Sequence, residues 1–191
     1  MKKEDRFPEI AFPTRQDWRD WLAANHDQYD GIWLVFYKKT SGKATVRYME
    51  AVLEGLCFGW IDSKSQTMDE ERYRQIFTPR KPKSEWSKAN KRLVAELEEA
   101  GLMAEPGRQT IRVAKENGSW TKIDAIEDFI LPPELEAAFE EREDLKETYE
   151  GFSNTVKKYI LRQIYLAKRP ETKASRLEKI LGKLEKGEAP I

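Results

Sequence analysis

The chain has 191 residues, with 34 Lys/Arg against 34 Asp/Glu for a formal net charge of zero, one His and one Cys. A lone cysteine excludes an internal disulfide and any cysteine-based zinc cluster, and a lone histidine excludes a His-rich metal site. Charged residues at 36% and aromatics at 11%, with six Trp, mark a folded chain rather than a disordered one.

The opening "MKKEDRFPEIAF" carries charges but no apolar stretch of signal-peptide length, and no later run could span a bilayer, so a cytoplasmic location is expected. Thr14 precedes "RQDWRDWLAANH", where Trp18, Trp21 and Leu22 recur at helical spacing. The pattern predicts a capped helix ending by His26, whose charge suits a helix carboxyl end. "GIWLVFYKKTSG" (31–42) reads as a strand and a turn. "RYMEAVLEGLCFGW" (47–60) places Met49, Val52, Leu53, Leu56 and Cys57 on one helical face, with Gly59 suited to ending it. "WIDSKSQTM" and "ERYRQIFTPRK" read as two strands joined through a polar turn.

After residue 84 the strand patterns stop. "SKANKRLVAELEEAGLM" predicts a helix with Leu93, Leu97 and Val94 inward, ended at Gly101. "EPGRQTIRVAKENGSW" predicts another, with Pro106 in its first turn and Gly118 past its end. "LPPELEAAFEER" and "DLKETYEGF" are shorter acidic helices. "SNTVKKYILRQIYLAKRP" carries the stripe Val156, Tyr159, Ile160, Ile164 up to Pro170, and "ETKASRLEKILGKLEKGE" carries Leu177, Ile180, Leu181 and Leu184. The expected fold class is α+β: a small antiparallel sheet covered by helices, followed by an all-helical carboxy-terminal half. Residues 1–92 are expected to form the first domain and 93–191 the helical region, packed as one unit.

Zero net charge hides segregation. Residues 72–92 hold eight Lys/Arg and one Glu; residues 96–150 hold sixteen Asp/Glu and six Lys/Arg; residues 153–186 hold ten Lys/Arg and three Glu. Such blocks neutralise one another within the fold or present opposed charged faces. Acidic ridges such as Glu140, Glu141, Glu143 and Asp144 read as solvated faces, so neither a metal nor a cofactor is expected. Cys57, inside an apolar run, reads as a buried inert thiol.

The segment "FTPRKPKSEWSKAN" (77–90) stands apart. Arg80, Lys81 and Lys83 lie on a backbone stiffened by Pro79 and Pro82, just before a helix amino terminus that already favours anions. Ser84 or Ser87 can cap that helix, Asn90 can add a polar contact, and Trp86 can stack on a ligand or bury its ring.

At these residues the chain resembles a known family. "YMEAVLEGLCFGWIDS" and "DEERYRQIFTPRKPKSEWSKANKRLVAELEEAGLM" resemble the YdeI/OmpD-associated, or bacteriocin-protection, proteins. "YILRQIYLAKRPETKASRLEKILGKLEKG" is similar to that family's closing OmdA-type segment, with Gln163 where Trp is frequent; the likeness runs over residues 14–187. The amino-terminal layout is distantly similar to YdhG-like domains, at the level of fold alone. The resemblance implies a stress-tolerance protein without agreed catalytic residues.

Together these readings give a non-enzymatic stress-tolerance protein that binds an anionic small molecule or an acidic protein surface. Its expected site is Trp60, Asp62, Lys64, Arg80, Lys81, Lys83, Trp86, Ser87 and Asn90, with the two Trp as walls and Asp62 and Lys64 reaching from the sheet edge. Two alternatives stay open. One is an enzyme acting on a phosphorylated or carboxylated small molecule, with Asp62 as acid/base. The other is sequence-tolerant nucleic-acid binding, to which the zero net charge is unfavourable.

Overall fold

The computed structural model describes residues 3–190 and separates the chain into two units, one ending at Thr121 and the other beginning at Lys122. In the first unit, Thr14 caps α1 (Arg15–Asn25). Its hydroxyl oxygen accepts from the Asp17 amide and the Asp17 carboxylate accepts from the Thr14 amide, a reciprocal box. His26 closes the helix, as expected. The strands are β1 (Glu9–Ala11), β2 (Ile32–Tyr37), β3 (Trp60–Thr67) and β4 (Arg72–Pro79), in the order β1-β2-β4-β3. β2 and β3 flank β4 antiparallel, whereas β1 joins β2 in parallel, so the sheet is mixed. Three residues are too short to show a period of two, and β1 left no trace in the sequence pattern.

α2 (Tyr48–Cys57) packs on α1 and β3, and it also receives α3 (Lys88–Glu99) and α4 (Glu105–Glu116). That shared packing carries the unit beyond the expected break at 92–93, which would cut α3. Cross-strand partners put Ile32, Leu34, Phe36, Trp60 and Phe77 on the covered face of the sheet, where they meet Trp18 and Leu56. Trp18 meets Trp60 and Phe77 edge-on at centroid distances of 6.2 and 5.7 Å. At about 25 cal/mol per Å2 and roughly 200 Å2 per indole, each buried Trp contributes on the order of 5 kcal/mol of transfer free energy. The indole N–H groups are satisfied: Trp18 donates to the Ala51 carbonyl and Trp60 to the His26 carbonyl, both at 3.1 Å. Met49 departs from expectation. It is 52% exposed, because the first turn of α2 precedes the stretch that enters the core.

One carboxylate is buried in this core. Glu54, 1% exposed, receives Arg15 and Arg19 of α1, each at 2.5 Å. The i, i+4 spacing puts both guanidinium groups on one helix face. Burial works against the Arg19 charge, but the Glu54 carboxylate outweighs it and holds this arginine above its ordinary range. Burial first, and the Glu54 charge second, push the Cys57 thiol up, which fits an inert thiol.

The second unit consists of α5 (Asp124–Glu127), α6 (Pro133–Glu141), α7 (Glu143–Glu150), α8 (Asn154–Tyr165) and α9 (Pro170–Leu184) around Ile126, Leu135, Phe139, Ile160, Leu161, Ile164 and Leu184. Pro170 starts α9 at its first position, where its missing N–H costs nothing. Tyr159, expected on the inward stripe of α8, is exposed instead. Acidic and basic blocks neutralise each other here: Lys158 meets Glu127 at 3.0 Å, Arg142 meets Glu185 at 3.2 Å, and Lys173 pairs with Glu134. Among the described residues, no helix is long and apolar enough to cross a membrane.

Glu54→Gln should cost about 2–4 kcal/mol by urea denaturation, since it breaks a buried carboxylate away from both arginines; an unchanged midpoint would show that the clamp contributes nothing. The buried Tyr149 hydroxyl has no hydrogen-bond partner, and burial, followed by the charge of Glu150, raises its pKa to about 12. Because that folded value lies above the unfolded one near 10, its share of stability is present below pH 10 and lost as pH rises towards 12. Tyr149→Phe should therefore match or exceed the wild type by about 1 kcal/mol at pH 7, and its advantage should widen above pH 10; a less stable Phe variant at both pH values would contradict this.

Candidate functional site

The β3–β4 hairpin delivers the basic segment. β3 carries an irregularity between Asp62 and Ser65, where three steps along it match two on β4, from Phe77 to Gln75. The extra residue makes a bulge, a device that redirects side chains, and both bulged residues, Ser63 and Lys64, line an open groove of about 610 Å3. Arg80 continues the ladder beyond β4, its amide donating to the Gly59 carbonyl at 2.8 Å. The chain then turns sharply, with the Ser84 amide on the Lys81 carbonyl at 2.9 Å, and Asn117 at the end of α4 donates to the Pro82 carbonyl at 2.8 Å. Ser87 caps α3, its hydroxyl oxygen accepting from the Asn90 amide at 3.2 Å.

Arg80 is the unusual group. It is 7% exposed, with its guanidinium 3.6 Å from the centroid of the Trp86 ring. Nη1 donates to the Glu85 carbonyl at 3.1 Å, and Nε is buried with no partner. Among the described residues of its unit it forms no ion pair with a carboxylate. Burial draws its pKa down to about 10, with the charge of Asp62 partly opposing that fall.

Lys64, Arg80 and Lys81 line the same groove, which Phe7, Ile76 and Thr78 floor with apolar surface and which Glu4 and Asp30 also border. Lys64, Lys81 and Lys83 are exposed and form no ion pair among the described residues of the unit. Lys83 lines neither this groove nor the narrower hollow beside it. The expected walls differ from the observed ones. Trp60 is a core residue against Trp18 and Trp21, because the register of β3 turns it to the covered face of the sheet. The same register engages Asp62 within the sheet: it accepts from the Tyr48 hydroxyl at 2.8 Å and the Gln75 amide at 2.6 Å, lines neither hollow, and acts on Arg80 through its charge alone. Burial first, then the hydrogen bond to Asp62, push the Tyr48 hydroxyl up to about 12. Trp86 is buried against Trp120, at a centroid distance of 4.9 Å, and also lines the narrower hollow. Ser87 and Asn90 serve the cap and line neither hollow.

Sequence reasoning missed the Glu54 clamp, although a lone carboxylate inside "AVLEGLCFGW" was a usable signal. It also missed Gln109, Thr110 and Val113, which close the hollow around Arg80 and Trp86 from α4. Nothing in an amphipathic helix marks those three positions. Among the described residues no cluster of His, Cys, Asp or Glu could hold a metal ion.

The chain belongs to the family described as a domain of unknown function, DUF8412, whose model matches residues 10–110. Residues 128–187 match the family described as bacteriocin-protection, YdeI or OmpD-associated, with the label OmdA, so the resemblance read from the sequence holds over this carboxy-terminal part. No curated protein and no solved structure matches the chain.

Ser87→Ala should cost about 1 kcal/mol of stability by urea denaturation, the usual effect of losing a helix cap; an unchanged midpoint would show that the cap contributes nothing.

Proposed function

We propose that the groove at the end of β4 receives an anion, held by Arg80 with Lys81 and Lys64, and that the protein acts by binding rather than by catalysis. The observation that carries this reading is Arg80 itself: buried, stacked on Trp86, with an orphaned Nε and, among the described residues of its unit, no carboxylate in ion-pair contact. An incompletely compensated buried charge costs free energy, which something negative arriving from outside would offset. Stacking holds the planar guanidinium in a fixed orientation, which suits two-pronged hydrogen bonding to a carboxylate or phosphate. Lys64 and Lys81 add long-range attraction at the rim. The hydrogen bonds that engage Asp62 speak against its use as an acid/base.

In this reading the match of residues 128–187 to the OmdA model supports a kinship with bacteriocin-protection-type proteins, and the anion site is the means by which the protein senses or holds a ligand or an acidic partner surface in a cytoplasmic stress-tolerance role. The zero net charge is consistent with recognition at one groove rather than along a nucleic-acid backbone.

Inorganic phosphate, sulfate and acetate, titrated into the whole protein by calorimetry and thermal shift, test the reading. Arg80→Met should lose at least tenfold in anion affinity while its unliganded melting temperature stays equal or rises, because the variant fills the same space without a buried charge. Equal binding by both proteins would overturn it. The pH profile supplies a second check. Burial lowers the Arg80 pKa to about 10, so the affinity for acetate, whose charge is constant over this range, should hold from pH 6 to 9 and fall as pH passes 10.

A further inference from the structure

Arg80, Lys81 and Pro82 line two hollows at once. On one side lies the broad groove, bordered by cations and by the carboxylate residues Glu4 and Asp30. On the other lies a hollow of about 90 Å3 closed by Trp86 and by Gln109, Thr110 and Val113 of α4. Among the described residues no carboxylate lines it, and apart from Arg80 and Lys81 its walls are an indole, two β-branched side chains, a proline and one amide. The guanidinium on Trp86 therefore stands at the boundary between a polar compartment and an apolar one.

We infer that the site takes a monocarboxylate carrying a short aliphatic chain, its carboxylate on Arg80 and Lys81 and its chain in the hollow between Trp86 and α4. This rests on the anion-binding reading and specifies its ligand class. Three features select that chemistry. The planar fork of Arg80 matches the two oxygens of a carboxylate. Glu4 and Asp30 beside Lys64, Arg80 and Lys81 leave the groove lining one positive charge in excess, which a single negative charge neutralises. The hollow's volume equals about three waters at roughly 30 Å3 each, which suits a chain of three or four carbons beyond the carboxylate and is too small for a bulky ring. A few convergent polar groups beside an apolar slot is the usual construction of a small-ligand site.

The test is an NMR titration of the whole protein, reading the Trp86 indole signal, with acetate, propanoate, butanoate, pentanoate, octanoate and inorganic phosphate. Affinity should rise about fourfold for each added methylene up to pentanoate, the ratio that corresponds to about 0.8 kcal/mol per buried CH2, and then level off. Val113→Phe, which fills the hollow, should keep acetate binding and flatten the chain-length series. Gln109→Leu changes an exposed wall residue and should steepen the series, so the inference stays testable if the Phe variant fails to fold. Acetate and phosphate bound with no dependence on chain length would overturn the aliphatic subsite and leave the anion site standing. An undiminished series in Val113→Phe would also overturn it, placing the chain elsewhere. No binding of any anion would remove the Arg80 reading itself.

Discussion

The carbonyl oxygen of Cys57 lies 2.3 Å from where a Cβ on Gly107 would stand, and Thr110 Cγ2 lies 2.6 Å from where one on Gly59 would stand. The end of α2 and the start of α4 thus touch backbone to backbone, with the Ala104 amide on the Cys57 carbonyl at 3.2 Å. Only glycine permits that approach, and Gly59 must also adopt a φ of 73° to end α2. This contact fixes the distance at which α4 stands from the hairpin. With α4 so placed, Thr110 and Val113 face Arg80 and Trp86, and Asn117 reaches the Pro82 carbonyl. The candidate site is therefore a consequence of helix packing some distance from its charges.

The two buried charges of the first unit show opposite solutions to one problem. Glu54 is surrounded by donors from α1, so its desolvation is offset inside the fold and the result joins two helices. Arg80 has a stacked ring and one carbonyl, and its compensation is incomplete. A charge of the first kind rigidifies; a charge of the second kind stores a cost that an incoming anion can relieve. The zero net charge of the chain does not bear on this distinction. The second unit neutralises its own acidic and basic blocks through pairs such as Lys158 with Glu127 and Arg142 with Glu185.

Much of the fold was legible from local pattern. Thr14 and Ser87 were readable as caps because the capping hydrogen bond closes within three residues. The long helices were readable because period 3.6 repeats along them, and the hairpin because two strand-forming runs flank a polar turn. β1 was too short to repeat, and Met49 and Tyr159 lie on predicted inward faces at places where no partner element arrives. Of the site, the cations were readable and the walls were not. Trp60 looked like a wall, but its cross-strand partner Pro79 and the register of β3 turn it to the core.

What the sequence by itself determined is the order of elements, the cationic elbow and the helix that follows it, since each depends on neighbours within a few residues. Only the tertiary structure decided which elbow cation is buried, which tryptophan it stacks on, and that α4, some thirty residues onward, closes a hollow beside it. Burial and enclosure are properties of surfaces brought together by packing. The glycine contact between α2 and α4 that brings them together leaves no mark on hydrophobic periodicity.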